Sequence, residues 1–221
     1  MKFIRLVLLL PFLLVSGARA ADPDMDLVKR WLTKQAGAKA VAIDFTQTRE
    51  LRSLKRPIEI DGKLWFKAPG SFRWELGQPA RTIALQSVGE DMLVVEPKKR
   101  RAKRFTKEAL LEKGRGQGVG FLGAGLPRGI EAFTSQFTIT ATERKGDLYH
   151  VEARLNNKRA ALVLRKIVFF VDAESLESKG FYLRFRDASS ITTTFNKIVK
   201  NPQIPASTFA FDLTGYDVKD G

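Results

Sequence analysis

Side chains that could perform acid–base or metal chemistry are few in this sequence, and they do not form groups. The chain has one histidine, His150, and no cysteine, which leaves almost no scope for a histidine-based triad and none for a thiolate metal site. Carboxylates stand singly on the polar faces of predicted strands, where they are more often solvated than paired for proton transfer. They are Asp44, Glu50, Glu59 and Glu75. The sequence therefore predicts a protein that is not an enzyme and uses neither a cofactor nor a metal.

One glycine motif has the spacing of a dinucleotide-binding fingerprint. Gly118, Gly120 and Gly123 match its three glycines. That fingerprint holds a pyrophosphate only inside a strand–turn–helix unit, and no such unit is predicted around these residues. The wider segment, residues 114–129, is rich in glycine and has few apolar side chains. We interpret it as a flexible hinge or lid.

A different chemistry, the burial of an apolar ligand, is indicated by residues 61–79. Two runs with period-two alternation flank a Pro69-Gly70 pair, a pattern that predicts a β-hairpin. The hairpin carries Trp65, Phe66, Phe72 and Trp74, so it has a heavily aromatic face, and the sequence leaves open which face of the hairpin lies inside. Such a face is either ordinary core or the wall of a cavity for an apolar molecule. Composition alone favours core.

The elements around this hairpin are mostly predicted strands. A helix is predicted over residues 22–36, because Asp22 or Asp24 can cap it and because Leu27 and Trp31 share one of its faces. Further helices are predicted at 106–113 and 127–133. Gly62 is interpreted as a bulge or kink in the first strand of the hairpin. The expected fold is mainly β, with one strongly curved antiparallel sheet of about ten strands and a few helices.

The chain after residue 136 is predicted to consist only of strands. One of them covers residues 159–170, and a short last one covers residues 208–213. No internal repeat and no domain linker interrupts the pattern.

The first twenty residues have the features of a secretory signal peptide. Lys2 and Arg5 precede a short apolar run, and Ala18-Arg19-Ala20 forms a small-residue cleavage site. We expect residues 1–20 to be removed and residues 21–221 to form a single domain in the periplasm.

The formal net charge of +14 favours acidic partners, such as an anionic membrane surface, a nucleic acid or an acidic protein. Six of the seven residues from Lys98 to Arg104 are basic. Because the chain is predicted to be exported, nucleic acid is not an expected partner. We interpret the run as a solvated hairpin end and leave contact with anionic lipid open.

The mature chain resembles the LolA-type carriers of bacterial lipoproteins. The resemblance is carried by Phe45-Thr46-Gln47, by the run from Gly62 to Pro69, and by Phe72-Arg73-Trp74-Glu75. It continues through Pro79, residues 87–89, Glu96-Pro97 and Phe209-Ala210-Phe211. The pieces follow one another over nearly the whole mature chain.

This resemblance implies an unclosed β-barrel with a helical lid over a hydrophobic cavity. It implies a soluble, monomeric periplasmic carrier that shields the acyl chains of lipoproteins and transfers them from the inner to the outer membrane. The implied partners are the acylated cargo, an inner-membrane release complex and an outer-membrane receptor. The implied cavity residues are Leu64, Phe66, Phe72 and Trp74, and the implied lid residues are Leu27, Trp31, Leu126 and Ile130.

The sequence departs from the family pattern at positions that affect cargo and partners more than the fold. Members carry an arginine before the turn proline, where it tethers the lid, and this chain has Ala68. In the strand where members often have tryptophan and tyrosine, this chain has Leu93 and Val95. Two other interpretations therefore stay open: a carrier of the same fold for another lipid or hydrophobic metabolite, and a non-enzymatic periplasmic sensor or interaction module. A hydrolase is the remaining alternative.

Overall fold

The structure is a computed structural model that describes residues 22–106 and 129–221. These residues contain three α-helices, two short 3-10 helices and twelve strands. The helices are α1 (Met25–Ala36), α2 (Ile130–Gln136) and α3 (Lys158–Ala161). The strands are β1 (Ala40–Glu50), β2 (Ile58–Lys67), β3 (Ser71–Leu76), β4 (Thr82–Gln86), β5 (Met92–Glu96), β6 (Arg101–Phe105), β7 (Phe137–Lys145), β8 (Leu148–Leu155), β9 (Leu164–Asp172), β10 (Ser178–Phe185), β11 (Ser190–Lys200) and β12 (Asp217–Asp220).

All twelve strands join one sheet in the order β12-β6-β5-β4-β3-β2-β1-β11-β10-β9-β8-β7. Neighbouring strands are antiparallel, except that β12 runs parallel to β6. The two edge strands, β12 and β7, do not pair with each other, so the sheet is not closed. The mainly β architecture with an unclosed sheet is therefore confirmed.

Contacts between distant strands show that the sheet curls strongly. Trp74 on β3 and Phe181 on β10 lie four strand positions apart, which corresponds to about 19 Å across a flat sheet. Their ring centroids are only 6.4 Å apart. The face that carries these rings must therefore be concave, and we call it the inner face.

Helix α1 covers part of the inner face with an apolar stripe. The Asp24 carboxylate accepts a hydrogen bond from the Leu27 amide at 2.9 Å and so caps the helix, which begins at Met25 rather than at the predicted residue 22. Helical spacing then places four apolar side chains on one side. They are Leu27, Val28, Trp31 and Leu32, and all four are buried. Helix α2 adds Phe133, which is also buried.

The opposite, outer face is covered by the segment between β11 and β12. Ile204 and Phe209 of this segment pack against Trp65 of β2. Farther along, Phe211 and Tyr216 pack against Ile83 and Val95 and their neighbours. The middle strands are therefore buried on both faces, which explains why the β4 sequence is almost uniformly apolar.

Several local predictions were wrong. Gly62 is not a bulge, because β2 pairs through it without a register shift on both sides. Residues 208–213 are not a strand: Ala206–Phe209 form a 3-10 helix, and the last strand is β12. Residues 158–161 form α3 at the start of the predicted strand 159–170.

Three predictions lie outside the described residues. They are the signal peptide at 1–20, almost all of the helix at 106–113, and the glycine-rich hinge at 114–129, of which only Gly129 is described. They stay predictions.

Candidate functional site

The inner face carries two groups of aromatic side chains. In the first, on the central strands, Phe45 packs against Trp74 with ring centroids 4.1 Å apart, and Phe181 connects Trp74 to Phe195. In the second, under the helices, Trp31 and Phe133 pack at 5.6 Å, and both contact Phe169. Phe137 completes this second group at 4.8 Å from Phe133. The inner face is thus an apolar surface that spans the sheet.

The four predicted cavity residues all lie on the inner face. Leu64, Phe72 and Trp74 belong to the buried core cluster of that face, and Phe66 packs against it half-buried. The structure therefore shows which face of the hairpin lies inside: these four residues face the helices, and Trp65 faces outward. Their role as a ligand wall stays a prediction.

Three of the four predicted lid residues lie in the part of the chain that the structure describes. Leu27 and Trp31 lie on the buried side of α1, and Ile130 at the start of α2 packs half-buried against the same core cluster. Leu126 lies outside the described residues. Trp31 packs against Phe133 and Phe169, so α1 covers the β9 side of the inner face.

Sequence reasoning missed six aromatic residues of this face as site candidates: Phe45, Phe133, Phe137, Phe169, Phe181 and Phe195. Each lies in a correctly predicted strand or close to a predicted helix. Alternation within a strand identifies which residues share a face, but it does not say which face of a curled sheet is inside. Only contacts between distant strands carry that information.

Gly62 shows how closely the inner face is packed. The ring of Phe45 lies directly over it, and a Cβ at this position would overlap that ring and approach the Glu75 carbonyl oxygen to 2.5 Å. The absence of a side chain lets Phe45 lie flat between β2 and Trp74. The role of Gly62 is therefore to make room for the Phe45 ring, not to form a bulge.

Few polar contacts hold α1 on the sheet. At its N-terminal end the Asp24 amide donates a hydrogen bond to Thr142 Oγ1 at 2.7 Å. In the middle, Trp31 Nε1 donates to Ser178 Oγ at 3.0 Å in a buried position. At the C-terminal end Lys34 donates to the Ser175 carbonyl. Residues 37–39 then join the helix to β1, so only the C-terminal end is linked directly to the sheet by the chain.

The arginine next to the hairpin turn does not reach the helices. Arg73 lies on the outer face, where Nη1 donates to the carbonyl oxygens of Thr208 at 3.1 Å and Ala210 at 3.2 Å. Its Nε pairs with Glu75 at 2.6 Å. Ala68, at the position of the family arginine, has no side chain that could tether a lid. Arg73 instead fastens the C-terminal segment.

Arg73→Ala is expected to loosen that segment without opening the inner face. Loss of two charge-assisted hydrogen bonds and one partly buried ion pair should lower the free energy of unfolding by about 1.5–3 kcal/mol. Hydrogen exchange should increase at residues 201–216, whereas exchange of α1 should not change. Lys197→Ala, at an exposed position of β11, is the control. Equal protection of residues 201–216 in both variants would show that Arg73 does not hold the segment.

The other family departure also falls on the outer face. Leu93 and Val95 pack under the C-terminal segment, in the cluster with Ile83 and Tyr216. The absence of tryptophan and tyrosine at these positions therefore leaves the inner face unaffected.

Arg49 brings a charged group to the inner face: it alternates with Phe45 and Gln47 along β1, and its Nε is buried without a hydrogen-bond partner among the described residues. The buried polar residues in the described part of the chain are Gln47, Thr142, Ser178, Ser190 and Thr193. Within residues 22–106 and 129–221 no grouping of histidine and carboxylates could hold a metal ion. His150 alternates with the inner residue Val151 and packs against Phe170, and burial lowers the pKa of its imidazole. The face is suited to apolar contact, not to proton transfer.

These features define a class of protein: an open, strongly curled antiparallel sheet with an aromatic, largely apolar inner face under short helices. The chain belongs to the family described as outer membrane lipoprotein carrier protein LolA, whose model matches residues 36–212. An outer-membrane lipoprotein carrier protein of Dechloromonas aromatica (strain RCB) is 25% identical over 203 residues, which cover 92% of this chain and 87% of that protein.

Solved structures share the fold at low sequence identity. A DUF1329 family protein from Desulfovibrio piger has a TM-score of 0.51 and 10% identity, covering 86% of this chain and 98% of that one. An uncharacterized conserved protein from Thermus thermophilus has a TM-score of 0.50 and 4% identity, covering 89% and 98%. Among the helices described here, none is long and apolar enough to span a membrane.

Proposed function

We propose that this protein is a periplasmic carrier that shields the acyl chains of lipoproteins on its inner face and transfers them from the inner to the outer membrane. The observation that carries the proposal is an aromatic, largely apolar concave face covered by helices that are held by few polar contacts. Membership of the lipoprotein carrier family supports the choice of cargo.

Helices α1 and α2 pack directly on the inner face, so cargo must compete with them. Trp31, Phe133 and Trp74 are each at most 3% exposed. An acyl chain of sixteen carbons would gain about 12 kcal/mol by leaving water, at roughly 0.8 kcal/mol per CH₂. Displacement of Trp31 and Phe133 offsets much of this gain. Binding to such a carrier is therefore reversible, as delivery requires.

The attachment of α1 suggests how the face opens. Residues 37–39 connect its C-terminal end to β1. Its N-terminal end is held by two hydrogen bonds through Thr142, whose hydroxyl accepts from the Asp24 amide and donates to the Asp22 carbonyl. Release of that end would let the helix swing about residues 37–39 and would withdraw Trp31 from Phe169. The acyl chain would then take the place of the Trp31 ring.

The proposal includes the remaining sequence-based expectations. The protein is an exported, monomeric binding protein rather than an enzyme, and it meets a release complex at the inner membrane and a receptor at the outer membrane. Family membership supports these partners, and the predicted signal peptide supports export.

A second candidate is a carrier of the same fold for another lipid or hydrophobic metabolite. Ala68 favours it, because the side chain that tethers the lid in family members is absent here and because Arg73 lies on the other face. A lid without that tether suits a cargo that is released by a different trigger.

Mass spectrometry of the protein purified from the periplasm tests both candidates. We expect a co-purifying acylated polypeptide in the native spectrum. The mass of the protein should correspond to a chain that begins at Ala21. A free lipid or pigment after solvent extraction would replace the first candidate by the second. An empty protein that also fails to take up a fluorescent fatty-acyl probe would contradict both.

A further inference from the structure

The connections between consecutive paired strands differ in charge at the two ends of the sheet. Antiparallel pairing places five connections at one end: residues 51–57, 77–81, 97–100, 156–163 and 186–189. Together they contain ten lysines and arginines and one acidic residue. The four connections at the other end, residues 68–70, 87–91, 146–147 and 173–177, contain five acidic residues and no basic one. We call these the basic end and the acidic end.

Exposed aliphatic side chains accompany the charge at the basic end. In residues 51–57 Leu51 is 38% and Leu54 is 46% exposed, and in residues 156–163 Leu162 is 71% and Val163 is 42% exposed. Strand order places residues 186–189 between these two connections. Arg186 fastens residues 186–189 to residues 156–163, because its amide donates to the Val163 carbonyl at 3.0 Å and its Nε to the Ala161 carbonyl at 3.2 Å.

The basic side chains of residues 51–57 are available to a partner. Every residue from 51 to 59 is exposed. Within the described ranges Arg52, Lys55 and Arg56 form no ion pair, whereas Lys99 at the other basic turn pairs with Glu96 at 2.6 Å. The tip of the β1–β2 hairpin therefore combines free cations with exposed leucines.

We propose that the basic end docks the protein on an anionic phospholipid surface. Leucine side chains enter the interfacial region of a bilayer, and nearby arginine and lysine contact lipid phosphates. The cations are distributed over five connections along the curled sheet instead of lining one pocket, which suits a broad, diffuse negative surface. The connections at the acidic end contain no lysine or arginine, so such a surface attracts the basic end and orients the molecule with that end toward the bilayer.

Flotation with lipid vesicles tests this docking. The purified, exported chain is mixed with vesicles of phosphatidylcholine containing 30% phosphatidylglycerol and with vesicles of phosphatidylcholine alone. We expect binding to the anionic vesicles only, with at least a tenfold loss when NaCl is raised from 0.1 to 0.5 M, because the screening length shortens. The triple variant Arg52→Glu, Lys55→Glu, Arg56→Glu should lose binding by at least tenfold.

A second triple variant is the control, because it makes the same change in net charge at positions outside the basic end. Arg30→Glu, Lys39→Glu and Lys197→Glu alter exposed positions away from the basic end and should leave binding within about twofold of the unaltered chain. For the aliphatic contribution, Leu51→Ser with Leu54→Ser should weaken binding, whereas Val88→Ser at the acidic end should not. Circular dichroism melting of each variant verifies that it is folded.

Equal losses in the two triple variants would overturn the proposal, because net charge alone would then account for binding. Failure of the unaltered chain to bind anionic vesicles would also overturn it and would leave an acidic protein as the partner of the basic end. The docking does not depend on the cargo, so either result leaves the carrier function to be decided by mass spectrometry.

Discussion

A disulfide between positions 24 and 142 is expected to abolish uptake of acyl ligands. The Asp24 amide nitrogen and Thr142 Oγ1 are 2.7 Å apart, so standard bond lengths place the two Cα atoms within about 6.6 Å. This separation is inside the range that a disulfide bridges, roughly 4.4–6.8 Å. The variant Asp24→Cys, Thr142→Cys would pin the N-terminal end of α1, which must be released if the helix swings about residues 37–39.

The chain contains no cysteine, so the introduced pair forms the sole disulfide. The oxidised variant should bind a fluorescent fatty-acyl probe at least tenfold more weakly than the unaltered chain, and reduction should restore binding. The variant Asp24→Ser, Thr142→Ser changes the same positions without a cross-link and should bind the probe in both redox conditions. Unchanged uptake by the oxidised protein would show that cargo enters without movement of the N-terminal end of α1.

Gly180→Ala is expected to be the most destabilising single methyl addition in the sheet. Gly180 has φ of +141°, and a Cβ there would overlap the Thr193 carbonyl oxygen of the neighbouring strand. Both the strained backbone and the main-chain overlap resist relaxation. We expect a loss of about 3–4 kcal/mol in the free energy of unfolding. For a chain of this size the midpoint of thermal unfolding should fall by roughly 10 °C.

Gly70→Ala is the matched control, because a Cβ at Gly70 would have no atom within 4 Å and its φ is not in the left-handed region. Its stability should differ from that of the unaltered chain by less than about 0.5 kcal/mol. Urea unfolding of both variants measures the difference. Equal stability would mean that β10 and β11 can separate locally, and the packing of this region would need another description.

Much of the fold could be predicted because its information is local. Alternation in β2 and β3 and the Pro69-Gly70 turn predict the central hairpin, which the structure confirms. Asp24 and the spacing of Leu27 and Trp31 predict α1. The C-terminal region was less predictable, because Ile204 and Phe209 are apolar for the sake of contact with Trp65, not for strand pairing. An apolar run that covers a sheet has no periodicity that distinguishes it from a strand.

The family and the aromatic face could be identified from the sequence, because they depend on residue types and on order along the chain. The contacts that attach α1 to the sheet could not be identified from the sequence. Thr142 and Ser178 hold α1. Strict alternation from Ile139 along β7 would place Thr142 on the outer face, and strict alternation from Phe181 along β10 would place Ser178 there. Register shifts between Ile139 and Ala141 and between Ser178 and Gly180 turn them inward.

One extra residue in a strand reverses the face of every residue beyond it. Whether the extra residue is tolerated depends on the partner strand, as the approach of Gly180 to Thr193 shows. The sequence by itself therefore determines the curled sheet and its apolar content. The tertiary structure decides which side chains reach the inner face and hold the helix there, because that choice is made by pairing between strands that are distant in sequence.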